Sequence, residues 1–279
     1  MGRLKVLVTG GSGFVGSCLI DTLEKDESLE VIQFKGDLLD IDFVRNFFKE
    51  NDEIDTVVHL AGLFSSNPDD LLKVNFTATN NLLEGLSALN IRKFIFSSSG
   101  VVYGSAFSNK FSESDSLNPT TPYALSKMMA EKSIKSYSQK NGFSHLILRF
   151  PNIFGEGQKK GVFHSLLTSI KRDGVATIHG DGEQRRDFLH VDDAVDALHK
   201  SIYVDEAKGI LNASSEMNLS INEILDIFKK DLDFEVKYVE SRDDVFNISL
   251  NYQKISAILN LENNRSNRDS ISGIAENFD

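Results

Sequence analysis

Cysteine is almost absent from this chain: one, Cys18, in 279 residues. A disulfide framework and a thiolate metal site are both excluded, and a reducing cytoplasm is the natural home. Cys18 itself reads as a small buried apolar residue. No apolar run approaches the ~18 residues of a membrane span. The first strand starts at Leu4, which leaves no room for a signal peptide. Positive charge is in deficit: 30 Lys and Arg stand against 41 Asp and Glu, a net charge of −11. That balance argues against nucleic acid and against an anionic membrane surface as partners. There is no internal repeat, and only the Asn- and Ser-rich stretch 260–272 is soft. His145, His164, His179, His190 and His199 are scattered without metal-ligand spacing on one helix, so no metal is expected. His59, inside an apolar strand, reads as a core histidine.

What the chain does have is a glycine turn at its N-terminal end. Val6, Leu7 and Val8 form an uncharged apolar run that suits a strand buried on both faces. Gly10, Gly11 and Gly13 follow, and then Phe14, Val15, Leu19, Ile20 and Leu23 fall at helical spacing. Gly10, Gly13 and Gly16 are spaced G-x-x-G-x-x-G. Two of them allow the backbone to pass close to a pyrophosphate, and Gly16 allows the helix to pack tightly on the strand. The unpaired N–H groups and positive dipole end of the helix then suit phosphates. A plain tight turn has the same glycines, but not this strand and helix on either side.

Further strands read at Glu30–Phe34, Thr56–Gly62, Lys93–Gly100 and His145–Phe150. A short amphipathic helix reads around Phe43–Phe48, and a long one over roughly Asp69–Leu89. Strands alternating with helices predict a doubly wound parallel α/β sheet, a Rossmann fold. The Ala61-Gly62 strand end allows close approach to a dinucleotide. An acid is expected near the end of the second strand to accept hydrogen bonds from the adenosine ribose. Lys35 stands there instead and favours a 2′-phosphate, as in NADP. Asp37 follows and could serve NAD, so both cofactors stay open.

Ser99 lies just past a strand end, and Tyr123-Ala-Leu-Ser-Lys127 opens a helix after Pro122. Tyr123 and Lys127, four apart, share a helical face. An ammonium beside the phenol, together with the positive ring of an oxidised nicotinamide, favours the phenolate. Such a tyrosine can take a proton from a sugar hydroxyl as hydride leaves the carbon, and return it in reverse. Ser99 would hold the same oxygen, and Lys127 the nicotinamide ribose.

The chain resembles the extended short-chain dehydrogenase/reductases of the NAD-dependent nucleotide-sugar epimerase/dehydratase family. The motifs are Thr9-Gly-Gly-Ser-Gly-Phe-Val-Gly16, Gly36-Asp37-Leu38, Ser97-Ser-Ser-Gly-Val-Val-Tyr-Gly104 with Tyr123-x-x-x-Lys127, Arg149-Phe-Pro-Asn-Ile-Phe-Gly155 and Gly180-Asp-Gly-Glu-Gln-Arg-Arg-Asp-Phe-Leu-His-Val-Asp192. The resemblance covers about residues 4–260. It implies catalysis by Ser99, Tyr123 and Lys127. It implies NAD or NADP held by Gly10, Gly13, Phe14, Val15, Gly16, Lys35, Asp37, Leu38, Leu60, Ala61 and Gly62, with Tyr123 and Lys127. A nucleotide-sugar substrate would meet Ser99, Asn152, Val162, Arg186 and Arg242, the two arginines gripping its diphosphate. For Arg186 the competing reading is a structural ion pair with Asp187 or Asp181. The resemblance further implies a homodimer formed through helices starting near Asp69 and Pro122.

The expected organisation is a dinucleotide-binding domain over 1–150 with 188–203, and a smaller α/β nucleotide-sugar lobe from 151–187 with 204–279. The substrate belongs in the cleft between them. The family's dehydratases carry an acid pair where this chain has Gly100 and Val101, which argues against dehydration. A nucleotide-sugar 4-epimerase is favoured. The alternatives are an NADPH-dependent 4-keto-sugar nucleotide reductase and a non-catalytic NAD(P)-sensing protein, which should have lost the tyrosine or lysine.

Overall fold

The computed structural model describes residues 2–105, 110–240 and 247–278. Its main sheet has six parallel strands: β1 (Leu4–Thr9), β2 (Leu29–Gln33), β3 (Thr56–His59), β4 (Lys93–Ser99), β5 (Ser144–Phe150) and, later in the chain, β9 (Gly209–Asn212). They lie in the order β2-β1-β3-β4-β5-β9. The strand alternation explains the unbroken apolar run at the start. Val6 and Val8 face one layer, with α1 (Phe14–Leu23), α7 (Val191–Tyr203) and α9 (Gln253–Leu259). Leu7 faces the other, with α2 (Ile41–Glu50), α4 (Ala78–Leu86) and α5 (Pro122–Asn141). A strand covered on both sides needs apolar residues at both parities.

The expected long helix near Asp69 is one rod in three parts. It runs as α3 (Pro68–Leu71), a π-helical stretch (Leu72–Thr77) and then α4. The π stretch carries Asn75, whose side chain is buried.

The chain leaves the main sheet at Pro151. Proline donates no backbone N–H and so cannot continue a central ladder. Beyond it β6 (Asn152–Phe154) joins a second, three-stranded sheet, β10-β8-β6, with β8 at Arg185–His190 and β10 at Asn218–Ser220. A third sheet pairs β7 (Val175–His179) with β11 (Glu235–Val239). The second lobe's core gathers Phe154, Phe163, Phe188 and Phe228 with residues of α6 (Val162–Asp173), α8 (Ile221–Phe228) and α10 (Arg268–Glu276). One expected boundary is corrected: 204–279 is not wholly in this lobe. Gly209–Asn212 is the edge strand of the main sheet, and α9 packs on the main core. The strand pairs with β5 far away in sequence, so no local pattern reveals its sheet.

Candidate active site

The strand order reverses between β1 and β3, and the glycine loop sits at the carboxyl ends of those two strands, where a doubly wound sheet binds dinucleotides. Gly10 has φ +74°, and a Cβ there would meet Ala61 N at 2.5 Å. Thr9 Oγ1 accepts from Ala61 N at 3.3 Å and so ties the two strand ends together. A Cβ on Gly16 would lie 2.1 Å from the Gly10 carbonyl oxygen. Helix α1 can therefore lie on the loop only if residue 16 is glycine. Gly13 caps α1 with no side-chain hydrogen bond, and the first turn has no acid. The uncapped N–H groups at the start of α1 fit a dinucleotide diphosphate.

A cavity of about 470 Å³ continues from Thr9, Gly10 and Ser12 to Gln33, Lys35, Gly36 and Leu38. This is where an adenosine would rest. Among the described residues Lys35 is its only charged lining residue. Asp37 Oδ1 instead accepts from Leu39 N at 2.8 Å, closing an Asx turn. Cys18, expected as a buried residue, is only partly covered.

Ser99, Tyr123, Phe14 and Val15 line a second cavity of about 410 Å³, which Asn152, Val162 and Ile248 close from the other lobe. Two elements aim the central residues. Strand β4 ends at Ser99. Helix α5 starts on a capped turn, with Thr121 Oγ1 accepting from Ala124 N at 3.1 Å and Pro122 in the first turn. Lys127, one turn on, is buried and donates from Nζ to the Ser97 carbonyl at 2.9 Å. Its Nζ also lies 4.9 Å from the centre of the Phe96 ring. Burial pushes the Lys127 ammonium down to about 8, against the opposing pull of Glu131. Burial pushes the Tyr123 phenol up to about 12, with Ser99 acting in the other direction. The expected lowering of the phenol by Lys127 is thus overturned in the protein alone: desolvation dominates.

Behind this set lies a buried pair that the sequence reading missed. Glu131 accepts from Arg149 Nε at 2.9 Å, from Arg149 Nη2 at 2.6 Å and from Ser98 Oγ at 2.6 Å. Arg149 also lies over the Tyr103 ring at 4.6 Å. The visible signal was a glutamate four residues after Lys127, on the same helical face. The residues Asn75 and Phe64 were missed as well. Asn75 Oδ1 accepts from Leu63 N at 2.7 Å, and its Nδ2 donates to Leu63 O at 2.9 Å.

In the second lobe, Asn152 lies on β6 and Arg186 on β8. The Asp187 carboxylate is taken up by Ser214, Asn218, Ser249 and the Leu250 N–H. Among the described residues no carboxylate pairs with Arg186, and its Nε is buried without a hydrogen-bond partner. The ion-pair reading of Arg186 therefore fails within those residues. Arg242 lies outside the described residues. His59 is fully buried between Thr9 and Thr79 hydroxyls at 2.6 and 2.9 Å, and burial pushes its imidazole down to about 3. It is a neutral core histidine. A larger cavity, about 880 Å³, lies beyond 155–159 against α6, but it contains neither the glycine loop nor Ser99 and Tyr123.

The profile of the NAD dependent epimerase/dehydratase family matches residues 6–213. The chain belongs to that family. A putative UDP-glucose 4-epimerase of Methanocaldococcus jannaschii is 30% identical over 91% of this chain and 92% of its own. A dTDP-D-glucose 4,6-dehydratase of Mus musculus is 31% identical over 78% of this chain and 70% of its own. The solved structure of MoeE5 in complex with UDP-glucose and NAD is 27% identical, with a TM-score of 0.87 over 98% of this chain and 97% of that one. The Rossmann architecture and the family resemblance are borne out. The epimerase/dehydratase family is NAD-dependent, and the glycine loop of this member has the shape for such a dinucleotide. No helix among the described residues is long and apolar enough to cross a membrane.

Proposed function

We propose that this family member is a nucleotide-sugar 4-epimerase that uses a bound nicotinamide dinucleotide. The observation that carries the reading is the meeting of Ser99 and Tyr123 with Asn152 and Val162 in one cavity between the lobes. In this reading Gly10, Gly13, Phe14, Val15 and Gly16 hold the diphosphate, while Lys35, Asp37, Leu38, Leu60, Ala61 and Gly62 flank the adenosine and the cofactor's path. The dinucleotide supplies a reversible hydride acceptor. Tyr123 takes the proton from a sugar hydroxyl and later returns it to the oxygen of the ketone. The Ser99 hydroxyl donates to that oxygen. Lys127, fixed on Ser97 O, turns its remaining N–H groups toward a ribose hydroxyl. Arg186, with no carboxylate partner among the described residues, suits the substrate diphosphate by charge-assisted bonds. Residues 1–150 with 188–203 form the cofactor unit, extended by β9, and the remainder forms the sugar-nucleotide lobe.

Dehydration is disfavoured by residue type, since Gly100 and Val101 stand where an acid pair is expected; a Cβ on Gly100 would also lie 2.9 Å from the Leu250 side chain, which would have to shift. One observation favours a second reading, an NADPH-dependent 4-keto-sugar nucleotide reductase. Among the described residues the adenosine cavity has a lysine and no carboxylate on its lining, which welcomes a 2′-phosphate.

A single set of assays tests both. Purified protein is mixed with UDP-, dTDP- and GDP-sugars, with and without NADPH, while nicotinamide absorbance and sugar identity are followed. Sugar conversion without net cofactor consumption supports the epimerase. NADPH loss equal to the amount of 4-keto sugar reduced supports the reductase. The Tyr123→Phe variant should keep cofactor affinity and lose most turnover, on the order of the 10²–10⁴-fold typical of a removed proton path. Unchanged turnover in that variant would remove the phenol from the mechanism.

A further inference from the structure

Phe64 is 69% exposed, the most exposed large hydrophobic side chain among the described residues. The ring is not on a slack loop. The residue before it, Leu63, has both its backbone N–H and its carbonyl taken by the single side chain of Asn75. Asn75 is itself buried and donates to Ser126 Oγ at 3.0 Å, and Ser126 donates onward to the Tyr123 carbonyl at 2.8 Å. The π-helical stretch Leu72–Thr77 is what carries Asn75. An extra residue in a helical turn redirects side chains, and such turns concentrate at functional sites. The Phe64 ring meets the Tyr123 ring edge-to-face, with centroids 5.1 Å apart. It lines the same cavity as Ser99 and Asn152.

We infer that Phe64 is the platform on which the apolar face of the substrate's sugar ring rests, holding the reacting carbon beside the Tyr123 hydroxyl. The inference builds on the nucleotide-sugar reading above. The order of residues along the strand end argues for sugar rather than cofactor. Leu60 and Ala61 abut Gly10 at the cofactor loop, and a Cβ on Gly62 would lie 3.2 Å from Lys127 Nζ. Phe64 comes next and faces the second lobe. Pockets use such aromatic walls to gain contact area while a few polar groups fix orientation. The anchoring by Asn75 means that the ring's position is set before binding.

The test compares Phe64→Ala and Phe64→Tyr with wild type by calorimetry in the presence of NAD. The probes are UDP-glucose and UDP, or dTDP-glucose and dTDP if the wild type binds that pair more tightly. Phe64→Ala should weaken binding of the sugar nucleotide about tenfold, ~1.4 kcal/mol. Binding of the bare nucleoside diphosphate and of NAD should stay within about twofold of wild type. Phe64→Tyr should restore the lost affinity. Equal affinity of wild type and Phe64→Ala for the sugar nucleotide would overturn the inference alone. A matching loss of NAD affinity would assign the ring to the nicotinamide and overturn it too. Wild-type protein that binds no UDP-, dTDP- or GDP-sugar would overturn the functional reading and this inference together.

Discussion

The acid–base chemistry assigned to Tyr123 needs a large change in its ionisation. In the protein alone, burial holds the phenol up to about 12. At pH 8 such a group is almost wholly protonated and cannot accept a proton. A unit positive charge about 4 Å from a phenolate, at an effective dielectric of about 20, would be worth ~4 kcal/mol, and the ring of a bound oxidised nicotinamide would carry such a charge. At 1.36 kcal/mol per pKa unit that is a drop of about three units, to near ~9. The reduced cofactor has a neutral ring and should leave the phenol where burial puts it. Burial pushes the neighbouring Lys127 ammonium down to about 8. A phenolate at 123 in turn favours the ammonium at 127. The chain has six tyrosines and no tryptophan, so tyrosinate absorbance can be followed without indole overlap. Titration of the wild type with oxidised cofactor, minus the same titration of Tyr123→Phe, should show one tyrosine ionising near pH ~9. With reduced cofactor that early step should vanish. By linkage, deprotonation and the oxidised cofactor favour one another, so affinity for the oxidised form should rise with pH between about 9 and about 12. A difference titration with no tyrosinate below pH ~10.5, or identical curves for the two redox forms, would refute the electrostatic argument.

Two further outcomes follow from buried and exposed side chains. Glu131→Gln leaves the Arg149 guanidinium charged in a site where both side chains are only 1% exposed. It should cost ~3–5 kcal/mol in urea unfolding, whereas replacing both residues by methionine should cost far less; a Glu131→Gln loss under ~1 kcal/mol would show the charge is compensated elsewhere. The proposed homodimer places the α3–α4 rod and α5 at the contact, where Leu72 and Leu125 are 36% and 41% exposed. Sedimentation should give a dimer for the wild type and a monomer for Leu125→Asp, and a monomeric wild type at working concentration would reject this face.

The parts of the fold that were legible in the sequence are those with local causes. Val6–Val8 reads as a doubly buried strand because both parities are apolar, and it is one. Pro122 reads as a helix start because it needs no donor partner there, and α5 begins at it, with Thr121 found as its cap. The spacing of Gly10 and Gly16 reads as a close approach, and their absent Cβ atoms would indeed collide with backbone. The parts that were not legible depend on contacts between distant residues. Apolar periodicity from Leu71 to Leu86 runs on through Leu72–Thr77 without marking the π turn. Strand β9 belongs to the main sheet only because β5 offers a free edge. The partner of Glu131 is on β5, across a strand boundary.

The same division separates the identity of the site residues from their chemistry. A serine at a strand end and a tyrosine and lysine four apart can be read from spacing, because strand ends and helix faces are local geometry. Their proton affinities cannot. Proximity of Lys127 argues for a low phenol pKa, yet in the folded chain desolvation dominates, and it acts on both groups at once: it raises the tyrosine and lowers the lysine. Each shift favours the uncharged form: the phenol stays protonated, while the ammonium, pushed only to about 8, is still the main form at neutral pH. A cation delivered to the cavity is therefore what makes proton abstraction possible. In the proposed reaction the site would become a base only with the oxidised dinucleotide bound, which would couple proton removal from the sugar to the availability of its hydride acceptor.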